Sequence, residues 1–262
     1  MSRYTRVWKK SLGLAVAEDM AYKGNFIIKC FALILVDMIG PLIAVLIYTS
    51  SSGIPGWSLA EFILFTGTIT LVLGIGHALM FAIPWYTISA VRRGEFDKYL
   101  IKPFNPLVYL SLSAWDLEGF AEVGAGLLMV GWALTKLWVG ITIGNILLYI
   151  FLILVGCVFI YSCMVLIASA SFLFVKTFGL FDLFFNITKF ARYPLNVFGS
   201  TTRIFFTFLF PLAIAAHYPT TALLHGMPLL IIVKVVLPVI AFFGLTLFLW
   251  SRAMKKYSSA GG

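Results

Sequence analysis

The residues of this sequence that could take part in chemistry are few and lie far apart. The histidines His77, His217 and His225 are too scattered to hold a metal ion, and helix packing or an interfacial position accounts for each of them. The three cysteines fall in apolar runs without metal-ligand spacing, so we expect no disulfide and no zinc. The phosphate-binding Gly-x-x-x-x-Gly-Lys-Ser/Thr loop is absent, as are His-Glu-x-x-His and Gly-x-Ser-x-Gly. We therefore expect this chain to be no enzyme and to bind no cofactor itself.

One carboxylate, that of Asp37, lies in the middle of a long apolar run. An ionised carboxylate at the centre of a membrane helix costs about 2.5 to 3.5 kcal/mol, so such a residue normally faces a partner or a water-filled cavity. Two interpretations are open. Asp37 makes a structural hydrogen bond to a neighbouring helix, or it faces the interior of a dimer and contacts a polar path or a buried cation.

The most polar stretch inside the chain, "RRGEFDKYLIKPFNPL", runs from Arg92 to Leu107. A helix that enters this stretch can continue to Gly94, which is a good left-handed C-cap. Arg92 and Arg93 would then occupy its last turn, where cations suit the helix dipole.

A second, short helix, "EFDKYLI", is predicted to follow. Glu95 and Asp97 suit its first turn, and it must stop at Lys102 because Pro103 disfavours helical geometry in the residue before it. The helix would present Phe96, Tyr99 and Leu100 among charges. An ordinary positively charged loop that sets membrane topology is the simpler interpretation. A capped helix with a proline-fixed exit instead indicates a rigid element on which something pushes.

The composition is that of an integral membrane protein. Hydrophobic residues make up 61% of the 262 residues and charged residues only 11%, and the mean hydropathy is +1.03. A net charge of +9 could indicate nucleic acid binding, but the basic residues sit between apolar runs rather than on one soluble face. We therefore expect a lipid bilayer, and not nucleic acid, as the surroundings of this chain.

Five apolar runs are long enough to cross a bilayer as helices, which takes roughly 20 residues. They are Phe26–Tyr48, Leu59–Ile83, Leu117–Leu137, Gly144–Ala170 and Pro228–Trp250. Basic residues precede the first run, follow the second and follow the last, whereas "TSSSGIPGWS" between the first two is uncharged. Because cytoplasmic flanks are enriched in Lys and Arg, we expect both termini and the Arg92 stretch in the cytoplasm. An even number of crossings follows, which predicts six. The expected location is the inner (plasma) membrane of the cell.

The sixth crossing can be placed in two ways. The stretch Ser171–Phe190 crosses and the following residues dip into the outer leaflet, or Ile204–Leu224 crosses and the Ser171 stretch stays on the cytoplasmic surface. Keeping Lys189, Arg192 and Arg203 inside favours the second placement. The prolines within Ile204–Leu224 favour the first.

The N-terminal segment, residues 1–25, is predicted to lie on the cytoplasmic surface. Its part Ser11–Asn25 has apolar residues loosely interspersed with Glu18, Asp19 and Lys23, which indicates a short amphipathic helix.

Two stretches carry a family resemblance. "VRRGEFDKYLIKPFNPL" resembles the cytoplasmic signature of ABC-2-type transporter permeases, with a basic residue, a glycine, an acidic-apolar helix and Pro-x-x-Pro after the second span. "FARYPLNVFGSTTRIFFTFLFPLAIAAHYPTTALLHG" resembles the pattern that follows the fifth span in that family. The six-span plan and the amphipathic N-terminal helix also fit, so the resemblance covers nearly the whole chain.

The resemblance implies one all-α transmembrane permease domain, residues 1–262, with a coupling segment at 84–109 and outer re-entrant helices at 195–227. Two such permeases, identical or homologous, would pair, and each would dock an ABC ATP-binding subunit that binds ATP and Mg²⁺. The implied ATPase contact comprises Arg92, Arg93, Gly94, Glu95, Phe96, Asp97, Lys98, Tyr99, Leu100, Lys102 and Pro103. It also implies export by alternating access and a fifth crossing that ends at Tyr193 and Pro194. Asp37 is a candidate residue of the translocation path if it faces the dimer interior rather than making a structural hydrogen bond. The rival class is a membrane protein without transport function, either an intramembrane enzyme or an assembly scaffold.

Overall fold

The structure is a computed structural model that describes residues 3–51, 53–137, 140–174 and 177–258. All regular secondary structure in these residues is helical. The α-helices are α1 (Arg3–Ala21), α2 (Lys23–Ser50), α3 (Leu59–Leu79), α4 (Ala82–Arg92), α5 (Asp97–Leu100), α6 (Pro106–Ser113), α7 (Gly119–Leu137), α8 (Ile143–Ala170), α9 (Phe178–Thr188), α10 (Ser200–Ile204), α11 (His217–His225) and α12 (Leu229–Met254).

The five predicted long spans are confirmed as helices of sufficient length and apolar character to cross a membrane. They are α2, α3 together with α4, α7, α8 and α12. The second of them extends over Leu59–Arg92 with one interruption, at which the N–H groups of Met80 and Phe81 both donate to the carbonyl of Gly76. This span therefore continues past Ile83 into the polar stretch, as the sequence predicted.

The N-terminal helix begins earlier than predicted. α1 occupies Arg3–Ala21 rather than Ser11–Asn25, and Tyr22 separates it from α2. α1 has no buried residue, but the Ser11 hydroxyl donates to the carbonyl of Leu112 at 2.7 Å and the rings of Trp8 and Trp115 lie 5.2 Å apart. Trp8 precedes the predicted amphipathic stretch, and Ser11 is its first residue. Their contacts hold α1 against α6 and the residues that follow it.

A glycine seam joins α3 to α7, where the backbones of the two helices approach each other closely. Gly67 and Gly74 on α3 pack against the backbone of α7, and Gly119 and Gly126 on α7 pack against the backbone of α3. A Cβ atom on Gly126 would lie 2.6 Å from the backbone nitrogen of Leu71, and one on Gly74 would lie 2.7 Å from that of Val123. Small residues allow membrane helices to approach backbone to backbone, which increases van der Waals contact where no hydrophobic effect drives association.

A buried polar contact joins α11 to the bundle. The Thr68 hydroxyl on α3 lies 2.8 Å from the hydroxyl of Tyr149 on α8, and Thr220 on α11 donates to Thr68 at 3.3 Å. Thr68 lies nine residues into α3, roughly 13 Å from its first residue at 1.5 Å per residue. α11 is therefore packed inside the bundle and not on its surface.

The chain between α8 and α11 is irregular. α9 has 11 residues, and a 3-10 turn, Lys189–Arg192, extends it. The side chain of Asn196 then accepts a hydrogen bond from the Trp57 indole at 3.1 Å and donates to the carbonyl of Pro55, both in the loop between α2 and α3. Ile204–Leu224 is not one helix, because a π turn at Phe205–Leu209 ends before Pro211, which has no N–H to continue it.

The polar stretch, the N-terminal helix and the end of α12 meet at one end of the bundle, which we call the basic end. There the ring of Tyr4 lies 5.4 Å from that of Phe104, and Phe96 lies 5.4 Å from Tyr257, just after α12. The α2–α3 loop lies at the opposite end of both helices.

The seam makes a direct prediction. Gly126→Ala is expected to destabilise the protein by about 1 to 3 kcal/mol, because the methyl group would overpack against the backbone of α3. Gly124→Ala on the same helix is the matched control, since nothing lies within 4 Å of its added Cβ, and the gain in helix propensity makes it neutral or stabilising. Thermal unfolding of the purified variants in detergent measures both effects. Equal melting temperatures for the two variants would contradict the seam.

Candidate functional site

The polar stretch begins with a well-formed helix end. The N–H of Glu95 donates to the carbonyl of Ala90 at 2.8 Å, and the N–H of Gly94 donates to that of Val91 at 3.1 Å. This pair of bonds is a Schellman motif, and Gly94 has the positive φ of 69° that the motif requires at its C′ position. The predicted cap at Gly94 is confirmed. It fixes the direction in which the chain leaves α4.

The helix that follows is shorter than predicted. α5 covers only Asp97–Leu100, instead of the full "EFDKYLI", and Phe96 gives its N-terminus no side-chain cap. Only eight residues lie between Gly94 and Pro103, and the first turn of a helix is the costly one. The segment is thus one helical turn between two fixed ends.

Phe96 is the anchor of this segment. The sequence predicted that its ring is presented on the surface, and this is wrong: Phe96 is fully buried. Its ring lies 4.8 Å from that of Phe172, which follows α8, and 5.4 Å from that of Tyr257. Burying a phenylalanine side chain is worth about 1.5 to 3 kcal/mol, enough to hold so short an element in place.

The exit of the segment is also fixed by contacts. The Lys102 ammonium lies 3.6 Å from the ring centre of Tyr109 and 5.6 Å from that of Tyr99, which places it in a cation–π contact with both. The side chain of Asn105 accepts hydrogen bonds from the N–H groups of Leu107 and Val108, so it caps α6. Lys102 and Tyr99 therefore support the segment from within.

The remaining residues form an exposed tip. Glu95 and Lys98 pair at 2.7 Å, and the Lys98 hydrogen bond lowers the pKa of the Glu95 carboxyl. Leu100 is 44% exposed and Ile101 is 83% exposed. Ile101 lies inside the predicted range but was not among the named contact residues. The signal that identifies it is its place directly before Lys102 and Pro103, where no helix face remains to bury it.

Asp37 has a partner that sequence spacing could not indicate. Its carboxylate lies 3.2 Å from the guanidinium of Arg192, in the 3-10 turn after α9, and the Asp37 side chain is 7% exposed. Asp37 is one of two buried residues on a helix otherwise open along its length. The contact matches the structural interpretation of Asp37, and its place on a translocation path stays a prediction. Asp37 and the exposed tip lie in different parts of the bundle.

Lys189 and Arg203 also have hydrogen-bond partners. Together with Arg192, these cations argued against a crossing at Ser171–Phe190. Lys189 donates to the side chain of Asn186 at 2.8 Å, and Arg203 donates to the carbonyl of Phe198 at 2.7 Å. With Arg192 paired to Asp37, the cost of removing these charges from the cytoplasmic side is reduced.

A second polar cluster lies where α3 meets the start of α7. His77 is 3.3 Å from a carboxylate oxygen of Asp116 and 3.2 Å from one of Glu122, and Lys29 pairs with Glu118 at 2.6 Å. His77, Asp116 and Glu118 each bring one possible ligand atom to within 4.8 Å of the others. The three histidines themselves are not brought together. The sequence analysis missed this cluster because its members come from separate parts of the chain: α2, α3, the α6–α7 connection and α7.

A cavity of about 600 Å³ opens beside this cluster, between α1, α2, α4 and α9. Aromatic rings of α4 and α9 line it together with the carboxylates of Glu18 and Glu122. It is a mixed polar and apolar space of the size that small-molecule sites have.

Comparison with known proteins gives one match. A family model described as ABC-2 family transporter protein matches residues 34–261, which is most of the chain. No curated protein and no solved structure matches it.

The Asp37–Arg192 pair makes a prediction of its own. Arg192→Gln is expected to destabilise the protein by about 1.5 to 3 kcal/mol, because it leaves a buried carboxylate without its charged partner. The double variant Asp37→Asn with Arg192→Gln is expected to recover most of this loss, since no unpaired charge remains. Thermal unfolding of the two single variants and the double variant gives the coupling energy. Strictly additive effects would show that the pair does not contribute.

Proposed function

The chain belongs to the ABC-2 family of transporter proteins, and on that premise we propose that it is the membrane-spanning permease subunit of an ATP-driven exporter. It pairs with a second permease, identical or homologous, and each permease docks an ABC ATP-binding subunit that binds ATP and Mg²⁺. The chain itself supplies the path across the membrane, and its partner supplies the energy.

The observation that carries this proposal is the construction of the tip after α4. Leu100, Ile101 and Pro103 are exposed at the end of the bundle, whereas Phe96 in the same segment is fully buried. A loop that only sets membrane topology needs basic residues but no buried anchor. A surface that receives force from a docked ATPase needs both an exposed contact and a fixed base. This construction favours the coupling function over a scaffold or an intramembrane enzyme.

Two routes can transmit movement from the tip into the membrane. One passes through the Schellman cap at Gly94 into α4 and α3 and then across the glycine seam to α7. The other passes through Phe96 to Phe172 at the end of α8 and, through it, to Trp250 on α12, whose ring lies 5.3 Å away. Because both routes consist of close contacts, a push on the tip moves helices and not a flexible loop. This supports alternating access by rocking of the two permeases.

Six crossings with the basic end in the cytoplasm fit these contacts. Phe172 contacts Phe96 at the basic end, and Asn196 bonds to the α2–α3 loop at the other, so the chain passes from end to end between them. The contact of Leu223 with Asn145, near the start of α8, keeps the following residues at that other end until α12 returns. The buried position of α11 supports re-entrant helices within residues 195–227. Both termini are then cytoplasmic, in the inner membrane.

The cavity beside His77 is the part of the proposed path that faces the cytoplasm. It lies at the level of the polar cluster, and Phe81, Phe181 and Phe185 provide an apolar wall. Asp37 lies on α2, and the cavity lining includes Leu33, one helical turn away on the same face. Movement of α9, which leads to Arg192, would change both the cavity and the ion pair.

Docking of the ATPase can be tested by charge introduced at the tip. The double variant Leu100→Asp with Ile101→Asp is expected to reduce co-purification of an ATP-binding subunit at least tenfold, since hot-spot contacts are worth about 2 kcal/mol. The measurement is affinity purification from gently solubilised native membranes, followed by mass spectrometry. Val108→Asp is the control, because Val108 is also exposed, at 40%, but lies on α6 beyond the tip.

Both variants must reach the membrane in normal amounts for this comparison. Recovery of the ATPase with the control but not with the double variant supports the coupling function. Undiminished recovery with the double variant rules out the tip as the docking surface. If no ATP-binding subunit accompanies even the native chain, the permease proposal fails in favour of the scaffold or enzyme.

The proposed topology predicts opposite labelling of two cysteines. Tyr193→Cys, at a position that is 55% exposed, is expected to react with a membrane-impermeant maleimide added outside intact cells. Lys98→Cys at the tip is expected to react only after the membrane is permeabilised. Cys30 is replaced by serine in both variants, while Cys157 and Cys163 are buried. Labelling of both cysteines from the same side would contradict a crossing between residues 172 and 196.

A further inference from the structure

A long apolar groove lies at the basic end, away from the cavity beside His77. It has a volume of about 480 Å³ and runs between α8, α9 and α12. Its walls include Leu166, Leu180, Leu183 and Ile187, and Phe210 lies against them. On α8 it extends from Cys163 to beyond Ala170, roughly 10 Å along the helix. An apolar space of this length suits a hydrocarbon chain.

Two cations mark one end of this groove. Arg252, in the last turn of α12, and Lys256, just after the helix, both line it. The Arg252 guanidinium lies 5.1 Å from the ring centre of Phe248, which restricts its position. Among the residues that the structure describes, no carboxylate lies within ion-pair distance of either cation. The groove therefore combines an apolar interior with a positive rim that no described carboxylate neutralises.

We propose that this groove binds an anionic phospholipid, with one acyl chain between α8, α9 and α12 and the phosphate at Arg252 and Lys256. Basic residues at the end of a membrane helix attract anionic lipids, and basic pockets between helices bind their head groups. Comparison with Lys255 shows that the arrangement is more than a general enrichment of basic residues at the end of α12. Lys255 is also exposed and is next to Lys256 in the chain, but it does not line the groove.

Charge argues for a lipid over a second copy of the chain as the occupant. A copy related by an axis along the membrane normal would bring its own basic end to the same level. The chain carries 19 Lys and Arg against 10 Asp and Glu, and Arg252 and Lys256 would lie at the same level in both copies. Pairing there would oppose like charges, whereas a phosphate neutralises them.

The lipid would lie next to the base of the tip. Ala253 lines the groove, and Trp250 and Tyr257 on either side of it contact Phe172, which packs on Phe96. An occupied groove would fill the space between α9 and α12 behind this aromatic group. Binding of the lipid is therefore expected to raise the thermal stability of the chain.

Lipid binding is tested on the full chain, purified in detergent, by native mass spectrometry during titration with dioleoyl phosphatidylglycerol or dioleoyl phosphatidylcholine. Phosphatidylglycerol is expected to bind preferentially at one site per chain. Lys256→Gln should weaken this binding about fivefold, the loss expected for one basic residue near an anionic head group. Lys255→Gln is the control with the same charge change and should leave the affinity unchanged. Ala170→Trp, which fills the groove, should reduce binding of phosphatidylglycerol without any change in charge.

Each result decides the proposal. Weaker binding with Lys256→Gln and Ala170→Trp, but not with Lys255→Gln, supports a lipid site in the groove. Equal losses for the two lysine variants would show only general attraction to anionic lipid and would overturn it. So would equal binding of phosphatidylcholine, or competition by soluble glycerol phosphate as strong as that by the lipid. If Ala170→Trp instead lowers the dimer fraction and leaves lipid binding intact, the groove is a subunit interface. None of these outcomes depends on the ATPase, so the permease proposal stands or fails separately.

Discussion

The close approach of α3 to α7 is the contact on which the rest of the structure depends. In a bilayer the hydrophobic effect does not drive helices together, so stability comes from van der Waals contact and from interhelical hydrogen bonds. Four glycines let these two helices touch through their backbones. The pairing then fixes the polar cluster at the start of α7 and, through α4, the position of the cap at Gly94. A wider separation of α3 and α7 would loosen all of these together.

Local signals in the sequence predicted the parts of the fold that local physics determines. Long apolar runs predicted the five long helices, and Gly94 and Pro103 predicted where the chain must turn. What could not be predicted depends on residues far apart in the chain. Phe96 is buried because Phe172 and Tyr257 cover it, and Asp37 meets Arg192 across 155 positions. The glycine seam could not be predicted either, because the spacing of glycines in one helix does not show which other helix they will contact.

The irregular region after α9 shows why a simple count of charges was ambiguous there. The rule that places cations in the cytoplasm concerns cations that remain solvated near the ends of spans. Arg192 is partly buried and paired with the Asp37 carboxylate of α2. This cation therefore carries little information about topology. The prolines of the same region, by contrast, act through the missing N–H and the fixed φ, which no partner can replace.

The burial of Phe96 beside exposed Leu100 and Ile101 separates two kinds of constraint within a few residues. Phe96 is tied to the interior, so a change there requires matching changes at Phe172 and Tyr257. Leu100 and Ile101 are exposed, so a change at either position requires no matching change in the bundle. Mutation can therefore remodel the tip without disturbing the membrane fold. On the proposed docking function, the contact with the ATP-binding subunit is free to change while the interior of the bundle stays the same.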